Sequence, residues 1–236
     1  MFKNLKRMLS KKLDIESEVI EQEVQDDMMS SDELTEQTKF TELSDSDYLI
    51  TDPLAVGYAD IDQQYSTYSL ILSILPNDSV SILDFGCARG DFAEFLIDQR
   101  WDDGGRYDYT GIDFNAPLID AGLSYGNRKL LLMDWFELPS ELTADWCTNI
   151  NSCNMRYDAT SITDFEYLKR TIRVMYQHAT EGVIVLLTSA VSTYTYDDGL
   201  INWNPGDVFN WAQSTFGQVV LDHTFADNSF TLIIYK

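Results

Sequence analysis

The chain has 236 residues, 44% of them hydrophobic, with 16 basic and 39 acidic side chains for a net charge of −23. Such an excess of carboxylates argues against a nucleic-acid partner, whose phosphates need clustered lysine and arginine, and no apolar run reaches the roughly 20 residues of a transmembrane segment. Three cysteines without a CxxC pair (Cys87, Cys147, Cys153) and two histidines (His178, His223) argue against a disulfide framework or a metal centre, so the expected setting is the reducing cytoplasm.

The charge is unevenly placed. Residues 1–12, MFKNLKRMLSKK, hold five of the basic residues, and Phe2, Leu5, Met8, Leu9 and Leu13 recur at helical spacing. This is a basic amphipathic head, suited to dock on a protein partner or an anionic surface, or else a frayed end without a role. Residues 14–47 carry thirteen acidic residues against one base, Lys39, and few large apolar ones. That composition cannot bury enough surface to offset ordering entropy and predicts a largely disordered tail, so 1–47 is read as an appendage to a folded domain over 48–236.

Within the domain, YSTYSLILSIL (65–75) reads as a helix, SVSILDF as a strand, and DFAEFLIDQR (91–100) as a helix after a glycine turn. Strands follow at 107–114, 128–134 and 144–152, with a helix at 116–126 between the first two. A long amphipathic helix (163–179) leads to a strand at 182–189 with little alternation, as expected when both faces are covered. A helix at 205–217, opened by proline and closed by glycine, precedes two strands joined at Asp227-Asn228. The pattern predicts an α/β fold, Rossmann-like: a seven-stranded, mostly parallel sheet, helices on both faces, and an antiparallel last strand.

Chemistry concentrates at the strand ends, where open α/β sheets bind ligands. The first strand ends at Asp84 and runs into GCARG, where Gly86 permits a tight turn and Gly90 close packing of the next helix. Asp113 ends the second strand, placed to accept from ribose hydroxyls, with Phe114 beside it to pack on an adenine. Asp134 ends the third, placed to accept from an exocyclic amine, with Trp135 next to it. Each residue has a plainer use: Asp84 as a turn acceptor, Asp113 as a helix cap, Phe114 and Trp135 as core aromatics.

ILDFGCARGDF, YTGIDF and LLLMDWFELP resemble, in order, the three successive motifs of class I S-adenosylmethionine-dependent methyltransferases, and the resemblance runs from about 80 to 236. It implies S-adenosyl-L-methionine as cofactor. Asp84, Gly86, Cys87, Ala88 and Gly90 would form the turn on its methionine side, Asp113 would hold the ribose, and Phe114, Asp134 and Trp135 would surround the adenine. VGYADIDQQYSTY and FTLIIYK are also similar to phage-encoded proteins with this domain, which would place the protein in a host cytoplasm or a virion. Ala88 departs from the usual glycine. Its methyl is tolerated at negative φ and crowds the ligand at positive φ. Arg89 reads as a surface residue, with pairing to a methionine carboxylate as the alternative.

A sulfonium and a neutral nucleoside suit a carboxylate lining better than a dinucleotide pyrophosphate does, which disfavours a dehydrogenase. No Asp/Asn-Pro-Pro-Tyr stretch follows the fourth strand, which disfavours a nucleic-acid amino-methylating enzyme. Asn149, Asn151 and Ser152 are expected at the methyl-transfer side, where they orient an acceptor but serve poorly as bases. Tyr58 and Tyr65 are lid candidates, 189–204 an acceptor loop, and both histidines structural. Two functions follow: a methyltransferase acting on a small molecule or protein side chain, or a methyltransferase-fold assembly protein, catalytically weak or inactive, tethered through residues 1–47.

Overall fold

The computed structural model describes residues 53–98, 107–126, 128–155, 163–192 and 200–236. The head and tail expected over 1–47, and residues 193–199 of the expected acceptor loop, lie outside the described residues. The elements are α1 (Ile61–Ile74), β1 (Val80–Phe85), α2 (Asp91–Asp98), β2 (Tyr107–Asp113), α3 (Ala116–Ser124), β3 (Leu130–Leu132), β4 (Ala144–Ile150), α4 (Asp164–His178), β5 (Ala179–Thr188), α5 (Pro205–Phe216), β6 (Val219–Ala226) and β7 (Ser229–Tyr235).

The seven strands form one sheet in the order β3-β2-β1-β4-β5-β7-β6. β1 is an interior strand parallel to both neighbours, with Asp84 opposite Gly111 of β2 and Thr148 of β4. β7 runs against both β5 and β6, so it alone opposes the common direction. The expected mixed sheet, with its antiparallel last strand, is the one observed.

Period-two alternation sends successive strand residues to opposite faces. Leu83, Phe85, Cys147, Val183, Val185, Leu187 and Leu232 pack on one face with Leu168, Ile172 and Met175 of α4 and Val208 and Ala212 of α5. Ile82, Trp146, Ile184, Leu186 and Ile233 pack on the other with Tyr68 and Ile71 of α1 and Phe92, Phe95 and Leu96 of α2. β5 feeds both cores, which is why it shows a continuous apolar run. Among the described residues, no helix is long and apolar enough to cross a membrane.

Four boundaries differ from expectation for local reasons. α1 begins at Ile61, because Asp60 accepts from the Gln63 amide while Gln63 reaches back to the Ala59 amide, a reciprocal cap. β3 shrinks to three residues, since Asp134 leaves the ladder to cap the 3-10 helix Trp135–Glu137. β4 stops at Ile150, where Asn151 turns left-handed (φ 70°) into the 3-10 helix Ser152–Asn154. β5 starts at Ala179, directly where α4 ends, rather than at residue 182.

Candidate functional site

The carboxyl ends of β3, β2, β1 and β4 lie side by side, and the segments leaving them build the site. The turn after β1 folds over the end of β2: the Gly86 and Cys87 amides donate to the Ile112 carbonyl at 2.9 and 3.0 Å, and Gly90 N–H closes on the Cys87 carbonyl at 2.8 Å. Gly86, Ala88 and Gly90 all have positive φ, at 74°, 50° and 74°. A β-carbon on Gly86 would lie 2.2 Å from Ser152 Oγ, and one on Gly90 2.7 Å from Leu130 Cδ2, so both positions demand glycine. Ala88 takes the left-handed conformation with its methyl present, at a cost of about 1 kcal/mol. This is the crowded member of its two alternatives. Cys87 is buried under the turn, and burial, with Asp113 and Asp84 nearby, pushes its thiol well above the ordinary range.

The three strand-end carboxylates differ in what they already hold. Asp84 is buried, and hydroxyls from the strands on either side, Tyr109 Oη and Thr148 Oγ1, each donate to one of its oxygens at 2.7 Å. Burial raises its pKa to about 7 against the opposing pull of these two bonds, and the Asp113 charge adds to the rise. Asp113 accepts from Ala88 N–H on Oδ2 and from Asn115 N–H on Oδ1, both at 2.8 Å. Burial raises its pKa too, and these amides, with that of Phe114, oppose the rise. Asp134 Oδ1 accepts from Phe136 N–H at 2.9 Å. Its Oδ2 is buried with no hydrogen-bond partner among the described residues. Burial raises this carboxyl as well. An acceptor buried without a donor is costly, and it is open to an N–H or O–H supplied from outside the protein.

The aromatic and β4-end residues sort differently. Trp135 is 1% exposed, packed among Phe85, Phe114, Phe136 and Tyr167 with ring centres 5.4–6.5 Å away. Phe114 is only partly buried. Asn149 is fully buried: its amide donates to the Phe85 carbonyl at 3.0 Å and to Ser152 Oγ, and its oxygen accepts from Cys153 N–H at 3.1 Å. Ser152 also donates to the Phe85 carbonyl, so this pair clamps β4 to β1. Tyr58 is buried against Tyr68, with its phenol bonded to Asn151 and Tyr68 and its pKa raised chiefly by burial. Tyr65 is exposed and packs on Phe95 instead. The two histidine rings bond the Leu142 and Asp227 carbonyls.

Arg89 corrects an expectation. Read as a surface residue, it is 4% exposed, with Nε 2.8 and 3.0 Å from the two Asp91 oxygens. Other residues carry functions that the motifs do not disclose. Tyr109 and Thr148 hold Asp84. Asn154 is buried and accepts on Oδ1 from Thr188 N–H at 3.0 Å and Trp203 Nε1–H at 3.2 Å, while its carbonyl accepts from Ile201 N–H. With the Ser189–Trp203 and Met155–Leu200 bridges, it pins both ends of the 189–204 segment beside β4. A polar residue two positions past the expected strand end at 152 was the signal for it.

No family model matches the sequence, and no curated protein does. Solved structures share the fold at low identity. The magnesium protoporphyrin IX methyltransferase ChlM of Synechocystis PCC 6803, with bound SAM, is 12% identical with a TM-score of 0.55, over 88% of this chain and 98% of its own. DhpI in complex with SAH is 14% identical at a TM-score of 0.59, over 87% and 97%. A TehB-like SAM-dependent methyltransferase from Corynebacterium glutamicum is 16% identical at 0.51, over 78% and 92%.

Proposed function

We propose that the chain binds S-adenosylmethionine at the carboxyl ends of β1–β4 and transfers its methyl group to a small molecule or a protein side chain. The observation that carries this reading is Asp134 Oδ2, a buried acceptor without a donor among the described residues, two strands from Asp84 in a sheet similar to those of solved SAM- and SAH-bound methyltransferases. An exocyclic amine supplies the donor that this oxygen lacks. Asp113 accepts from the Ala88, Asn115 and Phe114 amides, which leaves part of the roughly four acceptor sites of a carboxylate for a ribose hydroxyl. Phe114 offers a partly exposed ring for the adenine, and the 86–90 turn faces the methionine end.

The bound cofactor supplies an electrophilic methyl on a sulfonium. The protein's part is placement, which contributes much of the rate in such reactions. Asn149 and Ser152 hold the turn rather than the acceptor, because their polar atoms are taken within the protein. Asn151, the described ends of the 189–204 segment (189–192 and 200–204) and Tyr58 border the side where an acceptor would enter. The net charge of −23 repels polyanionic acceptors and favours neutral or cationic ones.

A second reading, an assembly module in a phage particle or other complex, is favoured by the strained Ala88 and by the lack of an uncommitted base among the described β4-end residues. Calorimetric titration of S-adenosylmethionine and S-adenosylhomocysteine into the full chain separates the two. Micromolar binding lost in Asp113→Ala supports the enzyme. No binding at millimolar ligand refutes it and turns attention to what residues 1–47 hold.

A further inference from the structure

Behind the glycine turn lies a charged cluster built on two buried arginines, Arg89 and Arg128, that the proposed chemistry does not use. Arg128, just before β3, is buried with its guanidinium facing three acceptors. Nη1 donates to the Arg89 carbonyl at 2.6 Å and lies 3.4 Å from Asp91 Oδ1, and Nη2 pairs with Glu94 Oε2. Tyr125 stacks on the guanidinium, 4.8 Å from ring centre to Cζ. Asp91 is held in turn by Arg89 Nε and by Gln64 Nε2 of α1 at 3.0 Å. The fork is therefore fixed before it meets the turn.

Its target is the carbonyl one residue past Ala88. Ala93 N–H bonds the Gly90 carbonyl, so the entry to α2 leaves the Arg89 carbonyl pointing elsewhere. There the backbone of α3 comes so close that a β-carbon on Gly122 would lie 2.3 Å from the Arg89 oxygen. A buried carbonyl in that position needs a donor, and Arg128 Nη1 supplies one. On the other side of the same turn, Ala88 N–H is fixed by Asp113.

We infer that Arg128 is a positioning residue: its bond to the Arg89 carbonyl holds Ala88 in the left-handed conformation, and through the Ala88 amide it sets the orientation of Asp113. The role rests on the proposed cofactor site for its consequence, but not for the clamp itself. An arginine bond to one end of the turn and a carboxylate bond to the other supply what a glycine at 88 would provide by its own freedom. The prediction is conditional coupling: Arg128 matters while residue 88 is alanine, and much less once it is glycine.

The test is a double-mutant cycle on the full chain, combining Ala88→Gly with Arg128→Met and with Arg128→Lys. Lysine keeps a charge for Asp91 and Glu94 but loses the planar fork. Two readouts are taken, S-adenosylhomocysteine affinity by calorimetry and the urea unfolding midpoint. In the alanine background either Arg128 change weakens affinity about tenfold or more, as expected for a lost charged hydrogen bond. In the glycine background the loss falls below about threefold, and the urea midpoints show the same non-additivity. Equal losses in both backgrounds overturn the inference and leave Arg128 as an ordinary stabiliser. If Arg128→Met does not fold, the lysine variant carries the comparison. If the parent chain binds no ligand, the cofactor reading falls, and the urea cycle alone decides the clamp, additivity overturning it.

Discussion

Replacing Asp84 with asparagine should stabilise the protein at alkaline pH and do nothing at acid pH. Asp84 sits between Tyr109 and Thr148 in the middle of the sheet, shut off from water. Its pKa rises from 3.8 in the unfolded chain to about 7 when folded. The folded state therefore holds a proton that the unfolded state has released, and stability falls as pH rises through that window. The full difference corresponds to about 4 kcal/mol, the cost of ionising the buried group. Asparagine has nearly the same shape, accepts from Tyr109 on its oxygen and donates to Thr148 from its nitrogen. Urea unfolding of both proteins from pH 5 to 8.5 reads the gap directly. The variant should gain about 1.4 kcal/mol over the parent for each pH unit between about 5 and 6.5, levelling off above about 7.5. Asp134, also raised by burial, is common to both proteins and drops out of the difference, and Asp113 enters it only through its charge on Asp84. A gap that stays flat with pH, or that closes as pH rises, would show that Asp84 is ionised in the fold throughout, stabilised by its two hydroxyls.

Two further substitutions test the site and its scaffold. Asp134→Asn keeps an oxygen for the Phe136 amide but turns a donor toward the place of the open Oδ2; S-adenosylhomocysteine affinity should fall at least tenfold, with the urea midpoint nearly unchanged, and undiminished affinity would remove Asp134 from the site. Gly86→Ala places a methyl 2.2 Å from Ser152 Oγ at a φ of 74°, against the Asn149–Ser152 clamp; a loss of at least about 2 kcal/mol in urea unfolding is expected, and a loss below about 0.5 kcal/mol would mean the clamp yields freely.

The fold was legible because its signals are local. Each strand carries its own apolar run, Pro205 and Gly217 bracket α5, and Asp84, Asp113 and Asp134 stand where an apolar run stops. What stayed hidden depends on partners far along the chain. Arg89 reads as a surface arginine until Asp91, Gln64 and Arg128 are seen folded around it. Asp84 looks like a free ligand until Tyr109 and Thr148 arrive from the neighbouring strands. Asn149 and Ser152 look like acceptor-facing groups, yet the parallel pairing of β1 and β4 brings the Phe85 carbonyl within their reach. The start of α1 was missed although Asp60 and Gln63 carry the spacing of a capping pair, since the apolar run itself begins later. Ala88 marks the limit: its sequence context poses the question of φ, and only the turn's hydrogen bonds to Ile112, Asp113 and Arg128 answer it.

The place of β7 between β5 and β6 bears on how the protein is made. Both neighbours are synthesised first, and neither can complete its pairing until β7 follows. In that interval one edge of β5 presents Val183–Leu187, an uncharged β-prone run of the kind that recruits other chains. Growing chains stalled short of β7 should therefore be the species that chaperones hold and that aggregates capture, and slowing translation just upstream of Ser229 should lower soluble yield more than slowing it anywhere earlier in the domain.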